Sequence, residues 1–222
     1  MIIKVCGMRD PDNIRAVEQT NPDWMGFICW EGSKRYVAEP PAYMPGAQVK
    51  RVGVFVNPTI DDVLQRTQSF HFDLIQLHGM ESPEFCRQLR SALNDSRLLH
   101  VKLIKAFGIA ALDDLAQVSA YEAIADFALF DTKSPLIGGS GQPFSWDVLK
   151  SYEGRLPFLL SGGIGPDALS RLHAFSHPRW IGIDLNSRFE KTPGIKDANL
   201  LYAFSYRWRH QPDYNHISPF LP

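Results

Sequence analysis

The reactive side chains of this sequence fall at the ends of short apolar runs. Cys6 and Gly7 close the run IIKVC, and Gln76 to Gly79, with His78 among them, close a second. Asp131 ends FALFD, Ser161 to Gly163 follow PFLL, and Asp184, Asn186 and Ser187 lie in IGIDLNS. A thiol such as Cys6 is a useful base near neutrality only if its ordinary pKa of ~8.5 is shifted or the group is activated. Lys4 stands two residues earlier on the same side of an extended strand, where its charge would favour the thiolate. A carboxyl such as Asp131 donates a proton only where desolvation or nearby negative charge raises its pKa toward neutrality. Each also has a plainer reading. A lone cysteine is first a small buried hydrophobe, and an aspartate at such a position equally caps the next turn.

Gly162 and Gly163 stand just ahead of a helix expected to start at Pro166, a pattern suited to an anion. Glycine lets the backbone approach closely, and nearby free N–H groups bind negative oxygen. Asn186 and Ser187 add donors after the following apolar run. Either segment alone is an ordinary tight turn; the two together read as a phosphate cradle.

The elements that must position these groups alternate along the chain. Strands are expected over 2–6, 24–29, 51–56, 74–78, 100–106, 127–131, 157–161 and 180–185. Most are near-continuous in apolar residues, as strands covered on both faces should be. Helix-like patterns lie between them at 10–19, 58–67, 82–93, 110–118, 145–149, 166–172 and 197–208, several with Asp, Ser or Pro at their starts. About eight strand–helix units imply an α/β fold with a parallel sheet, closed as a single (β/α)8 TIM barrel. Active sites of that fold gather at the carboxyl ends of its strands, where the residues above are found, and its phosphate sites favour the loops after strands seven and eight. Pro40, Pro41 and Pro45 deny the second unit a long helix, so that unit is expected to be short or irregular. An open doubly wound sheet is the competing topology. The barrel is placed at 1–209, with a proline-containing extension at 210–222.

The chain has 222 residues, 45% of them apolar, a formal net charge of −1 and no basic run, which argues against nucleic acid and anionic membrane as partners. No apolar stretch approaches a membrane span, and the chain begins directly as a strand, so a cytoplasmic location is expected. Three widely spaced cysteines suggest neither a disulfide framework nor a zinc site. The histidines show no helical metal-ligand spacing, and Trp24, Trp146, Trp180 and Trp208 read as packing residues.

Taken in order, the strand-end pieces resemble the phosphoribosylanthranilate isomerases of tryptophan biosynthesis. They are KVCGM at 4–8, SKRYV at 33–37, GVFVN at 53–57, IQLHG at 75–79 and LFDTK at 129–133. GGSGQPFSW at 138–146, SGGI at 161–164, GIDLNS at 182–187 and PGIKD at 193–197 continue the series. The resemblance implies an Amadori rearrangement of N-(5-phosphoribosyl)anthranilate, a small-molecule substrate, with no metal and no organic cofactor. It makes Cys6 the general base and Asp131 the general acid. Arg35 would contact the anthranilate carboxylate, for which its planar fork is suited; an exposed loop charge is its plainer reading. Gly162, Gly163, Asn186 and Ser187 would hold the phosphate, and Gly138 to Gly141 would form part of a mobile loop. His78 is expected to be structural or pocket-lining. Barrels of this size occur as monomers or as homodimers joined by helix faces, and both states stay open.

The chain departs from the family pattern at Arg188, where glycine is usual, at Asn186 for serine, and at Gln142 for lysine. An aminoaldose isomerase of the histidine pathway is the nearest alternative, but such enzymes carry aspartate where Cys6 stands and a two-fold repeat that is not discernible here. A catalytically dead barrel kept as a scaffold is a second alternative, against which intact Cys6 and Asp131 argue.

Overall fold

The computed structural model describes residues 1–131 and 146–210. The GGSG segment with Gln142, and the extension from 211 onward, lie outside the described residues. Eight parallel strands form a closed barrel in sequence order: β1 (Ile2–Cys6), β2 (Trp24–Ile28), β3 (Lys50–Phe55), β4 (Leu74–Leu77), β5 (Lys102–Gly108), β6 (Phe127–Asp131), β7 (Phe158–Ser161) and β8 (Trp180–Leu185). Pairing of β1 with β8 closes it, with Lys4 directly opposite Asp184. The competing open sheet is thereby excluded. None of the described helices is long and apolar enough to cross a membrane.

Alternation within each strand builds two cores. Ile2, Cys6, Val52, Val54, Leu74, Ile104, Leu129 and Leu159 fill the barrel, while Ile3, Val5, Leu103, Phe130 and Ile183 face the outer layer. Both faces are apolar because both are covered, which is why the strands read as continuous runs. At the amino end of the strands, Trp24 and Phe127 pack edge-on at 5.5 Å and floor the interior. Lys4 shares the inward face of β1 with Ile2 and Cys6, the period of 2 putting alternate residues on one side.

The helices begin where their capping residues stand. Asp10 accepts the Asn13 N–H at 2.8 Å and starts α1 (Pro11–Glu18). Thr59 and Ser82 do the same for α2 (Ile60–Phe70) and α3 (Pro83–Asp95). Between β2 and β3 the proline-bearing segment 29–49 contains no helix. It covers the barrel as a loop, burying Val37 and Val49 and pinned by Arg51 NH2 on the Pro45 carbonyl at 2.7 Å.

Three expected helices differ. The stretches at 110–118 and 145–149 are 3₁₀ segments, Leu112–Tyr121 and Trp146–Ser151. The helix expected at Pro166 begins three residues later as α4 (Leu169–Ala174), because the chain first turns with Ala168 N–H donating to the Gly165 carbonyl at 2.9 Å. After β8 a short 3₁₀ turn (Ser187–Phe189) leads into a hairpin, β9 (Glu190–Thr192) and β10 (Ile195–Lys196), before α5 (Ala198–His210). The sequence reading did not anticipate the hairpin.

The closing seam depends on a missing side chain. A Cβ at Gly182 would lie 2.3 Å from the Ile2 carbonyl oxygen, so β1 and β8 meet at this distance only over glycine. Gly182→Ala is expected to lower unfolding stability by about 1–3 kcal/mol, the usual range for overpacking, in urea titrations. An unchanged midpoint would show that the seam relaxes freely.

Candidate active site

A cavity of about 360 Å³ opens at the carboxyl ends of the strands and gathers most of the residues singled out from the sequence. Cys6 at the end of β1 and Asp131 at the end of β6 both line it, as do Gly162, Gly163, Asn186 and Ser187. β7 and β8 separate β1 from β6, so thiol and carboxyl come from different walls of one pocket. Ile28, Val54 and Val56 supply an apolar side, and Trp30, about half exposed, stands at the rim.

Cys6 is held in a crowded, buried setting. Gly26 lies opposite it on β2, where a Cβ would approach its Sγ to 2.8 Å. Gly7, next in the chain, adopts φ +82°, and a Cβ there would meet Arg35 Cδ at 2.6 Å and Asn186 Oδ1 at 3.0 Å. Glycine is therefore required at position 7 by both backbone and space. Lys4 Nζ, wholly buried, lies 2.9 Å from Asp184 Oδ1, and it borders the same Gly26 position as the Cys6 sulfur. Asp184 Oδ2 accepts the Ser161 hydroxyl at 3.4 Å.

Burial dominates the thiol's acidity and raises its pKa; Lys4 and Lys196 pull it back, while Asp184 adds to the rise. The expectation that Lys4 would favour the thiolate is met in position but not in net effect. Its charge is shared with Asp184, and desolvation outweighs what remains. Cys29 and Cys86 behave as plain hydrophobes, with burial pushing their thiols up to about 12 and about 11.

Asp131 has a histidine neighbour. His78 Nε2 lies 3.6 Å from Asp131 Oδ2, and Gln76 Nε2 lies 2.8 Å from His78 Nδ1. With Gln76 donating, Nδ1 accepts and the ring proton sits on Nε2, toward Asp131. His78 thus lines the pocket, as the sequence suggested. Gln76 Oε1 is buried at this wall and has no partner among the described residues.

At the glycine-rich end, Gly162 and Gly163 both take positive φ, +93° and +65°, and turn the chain along the cavity. The six-residue α4 begins at Leu169, beyond the lining residues Gly162 to Ile164, so the cavity is lined here by the loops after β7 and β8. Arg188, flagged as a departure, also lines this end, and no described carboxylate pairs with it.

Arg35 is not among the lining residues. Its Nε and NH2 fork onto Glu190 at 2.8 and 2.5 Å. Glu190 and Lys196 were missed in the sequence, because nothing in PGIKD announces that Lys196 reaches across to Asn186 and Glu190 at 2.7 and 2.6 Å. Among the described residues, no cluster of three or more His, Cys, Asp or Glu side chains is placed to hold a metal.

Comparison with known proteins gives a consistent result. A family model described as N-(5'phosphoribosyl)anthranilate (PRA) isomerase matches residues 3–206. A relative from Phocaeicola vulgatus, named N-(5'-phosphoribosyl)anthranilate isomerase, is 49% identical over 204 residues, covering 92% of this chain and 96% of its own. One from Parabacteroides distasonis, of the same name, is 45% identical over 215 residues, covering 95% and 94%. A solved structure of phosphoribosyl anthranilate isomerase in complex with reduced 1-(o-carboxyphenylamino)-1-deoxyribulose 5-phosphate is 26% identical, with a TM-score of 0.75, covering 95% of this chain and 100% of that one. The matched span takes in β1 from Ile3, all of β2 to β8, and the candidate base and acid at their ends, and on that footing this chain belongs to the N-(5'-phosphoribosyl)anthranilate isomerase family.

Proposed function

We propose that this protein converts N-(5-phosphoribosyl)anthranilate to 1-(2-carboxyphenylamino)-1-deoxyribulose 5-phosphate, with Asp131 as general acid and Cys6 as general base. The reading rests on one observation: Cys6, Asp131 and the two glycine-rich or polar loops line a single cavity. Proton donation by Asp131 to the ring oxygen breaks the C1–O bond, and the nitrogen lone pair forms the C1=N iminium. Cys6 then removes the proton on C2, and the C–H electron pair moves into a C1=C2 bond as the iminium is neutralised. The resulting enolamine gains a proton on C1 and loses one from the C2 hydroxyl, leaving the ketone. C2 is oxidised and C1 reduced within one molecule, so the redox balance is internal.

The active form needs one proton on the pair, held by Asp131 with Cys6 as thiolate. Thiol plus carboxylate has the same total charge, so the local field decides where that proton resides. The nascent iminium beside the sulfur favours the thiolate. Substrate thereby counters the burial that keeps the Cys6 thiol protonated. Gln76 Oε1 offers an acceptor for a ribose hydroxyl, and Ile28, Val54 and Trp30 an apolar wall for the anthranilate ring.

At the phosphate end Gly162, Gly163, Asn186 and Ser187 supply backbone and side-chain donors. Arg188 adds a cation that glycine in its place would lack. Arg35, whose stem lies over Gly7 next to Asn186, meets the anthranilate carboxylate.

Three sets of variants test this reading. With turnover followed by loss of substrate fluorescence, Asp131→Asn and Cys6→Ala should each lower kcat by at least about 100-fold, the low end for a lost general acid or base. Product-analogue binding should stay measurable in both; near-normal kcat in either removes that residue's role. Arg35→Met should raise KM far more than Lys34→Met, and equal small effects would count against it. Arg188→Gln should raise KM about tenfold and flatten its salt dependence, as expected for a lost charge-assisted phosphate contact. An unaltered salt response would place Arg188 outside the phosphate site.

A further inference from the structure

Beyond the proposed acid and base, the hairpin after β8 brings a second set of charges to the pocket's edge. Glu190 opens β9 and Lys196 ends β10, and both are buried, their side chains 5% and 0% exposed. The hairpin is anchored to α1, since Lys196 N–H donates to Asn13 Oδ1 and Asn13 Nδ2 donates to the Lys196 carbonyl, both at 2.8 Å. Glu190 is saturated. Its Oε1 accepts from Arg35 Nε at 2.8 Å, Lys196 Nζ at 2.6 Å and Gly194 N–H at 3.0 Å, while Oε2 accepts from Arg35 NH2 at 2.5 Å. Burial alone would push its pKa up, but the Arg35 and Lys196 hydrogen bonds outweigh that and hold it at about 2. It is therefore a fixed negative charge near neutrality.

A guanidinium has two edges that can each grip a carboxylate: the side edge, Nε with one NH2 proton, and the end edge, NH1 with the other. Glu190 occupies the side edge of Arg35. Among the described residues nothing bonds the end edge. The Arg35 stem also lies over Gly7, beside Cys6. Two carboxylates sharing one guanidinium would repel each other, yet Lys196 supplies a second cation. Arg35 and Lys196 carry two positive charges against one on Glu190, which leaves one unit for an incoming carboxylate. Lys196 also donates to Asn186 Oδ1 at 2.7 Å, on the loop that lines the phosphate end.

We propose that Glu190 is a positioning residue for the aromatic-carboxylate end of the substrate: it holds the side edge of Arg35 and so aims the end edge at the anthranilate carboxylate. Lys196 balances the charge and ties this end of the site to the Asn186 loop. The ordering of a long side chain is thus completed during folding rather than on binding. This inference rests on the reading of Arg35 as the carboxylate ligand.

The test compares two unreactive ligands by calorimetry, the reduced 2-carboxyphenylamino product and its phenylamino counterpart lacking the carboxyl. Glu190→Gln keeps the shape but loses the charge. It should weaken the carboxyl-bearing ligand about tenfold, roughly the worth of one charge-assisted hydrogen bond, and leave the other within about twofold. KM should rise while kcat stays within a few-fold. Equal weakening of both ligands, or of neither, overturns the proposal. Where Glu190→Gln fails to fold, Glu190→Asp, charged but too short to span Arg35 and Lys196, should show the same selective loss, and its absence is equally fatal. Arg35→Met separates the two readings. If it abolishes the preference for the carboxyl while the Glu190 variants do not, Glu190 fails and the Arg35 reading stands; if the preference survives Arg35→Met, both fail.

Discussion

The ion pair between Lys4 and Asp184 joins the first strand of the barrel to the last, inside the barrel and out of water. Moving two such charges from water costs several kcal/mol per ion, and attraction between them offsets that only with good geometry and further hydrogen bonds. Here Nζ sits 2.9 Å from Oδ1 and the Ser161 hydroxyl reaches Oδ2. The pairing also fixes register. A one-residue slip of β1 against β8 would turn Lys4 into the apolar layer under the helices and leave Asp184 alone. Closing the barrel and setting Cys6 over the cavity are therefore the same event.

How much of this was legible from the sequence follows from how local each signal is. The strands were readable because covering both faces makes them continuous in apolar residues, α1 and α3 because Asp10 and Ser82, each followed by proline, stand at their starts, and α2 because Ile60, Val63 and Leu64 share one face. The irregular second unit was readable from Pro40, Pro41 and Pro45. The 3₁₀ character of Leu112–Tyr121 and Trp146–Ser151 was not, since the same apolar spacing serves either helix. Pro166 misled because a proline that opens a helix also suits the turn found there.

The site divides in the same way. Cys6, Asp131 and the loops after β7 and β8 sit at strand ends, and motif order along the chain pointed to them. The acidity of Cys6 was beyond the sequence, because the sign depends on how burial, Lys4 and Asp184 balance in three dimensions. Glu190 lies 155 positions from Arg35, and no spacing rule connects residues that far apart. Such a partnership becomes visible only when the hairpin after β8 meets the loop after β2.

The helix-free segment between β2 and β3 has a consequence for how this barrel can change. It carries Arg35 and Trp30, at or beside the mouth, and the same span buries Val37 and Val49 on the barrel wall. After β1, β3 and β4 the cladding is instead a capped helix, α1, α2 and α3. On the proposed reading of Arg35, recognition and waterproofing are here one piece of chain. Lengthening or trimming it to admit a different aromatic group would also strip insulation from two strands, so new specificity should evolve more readily from the hairpin side of the mouth.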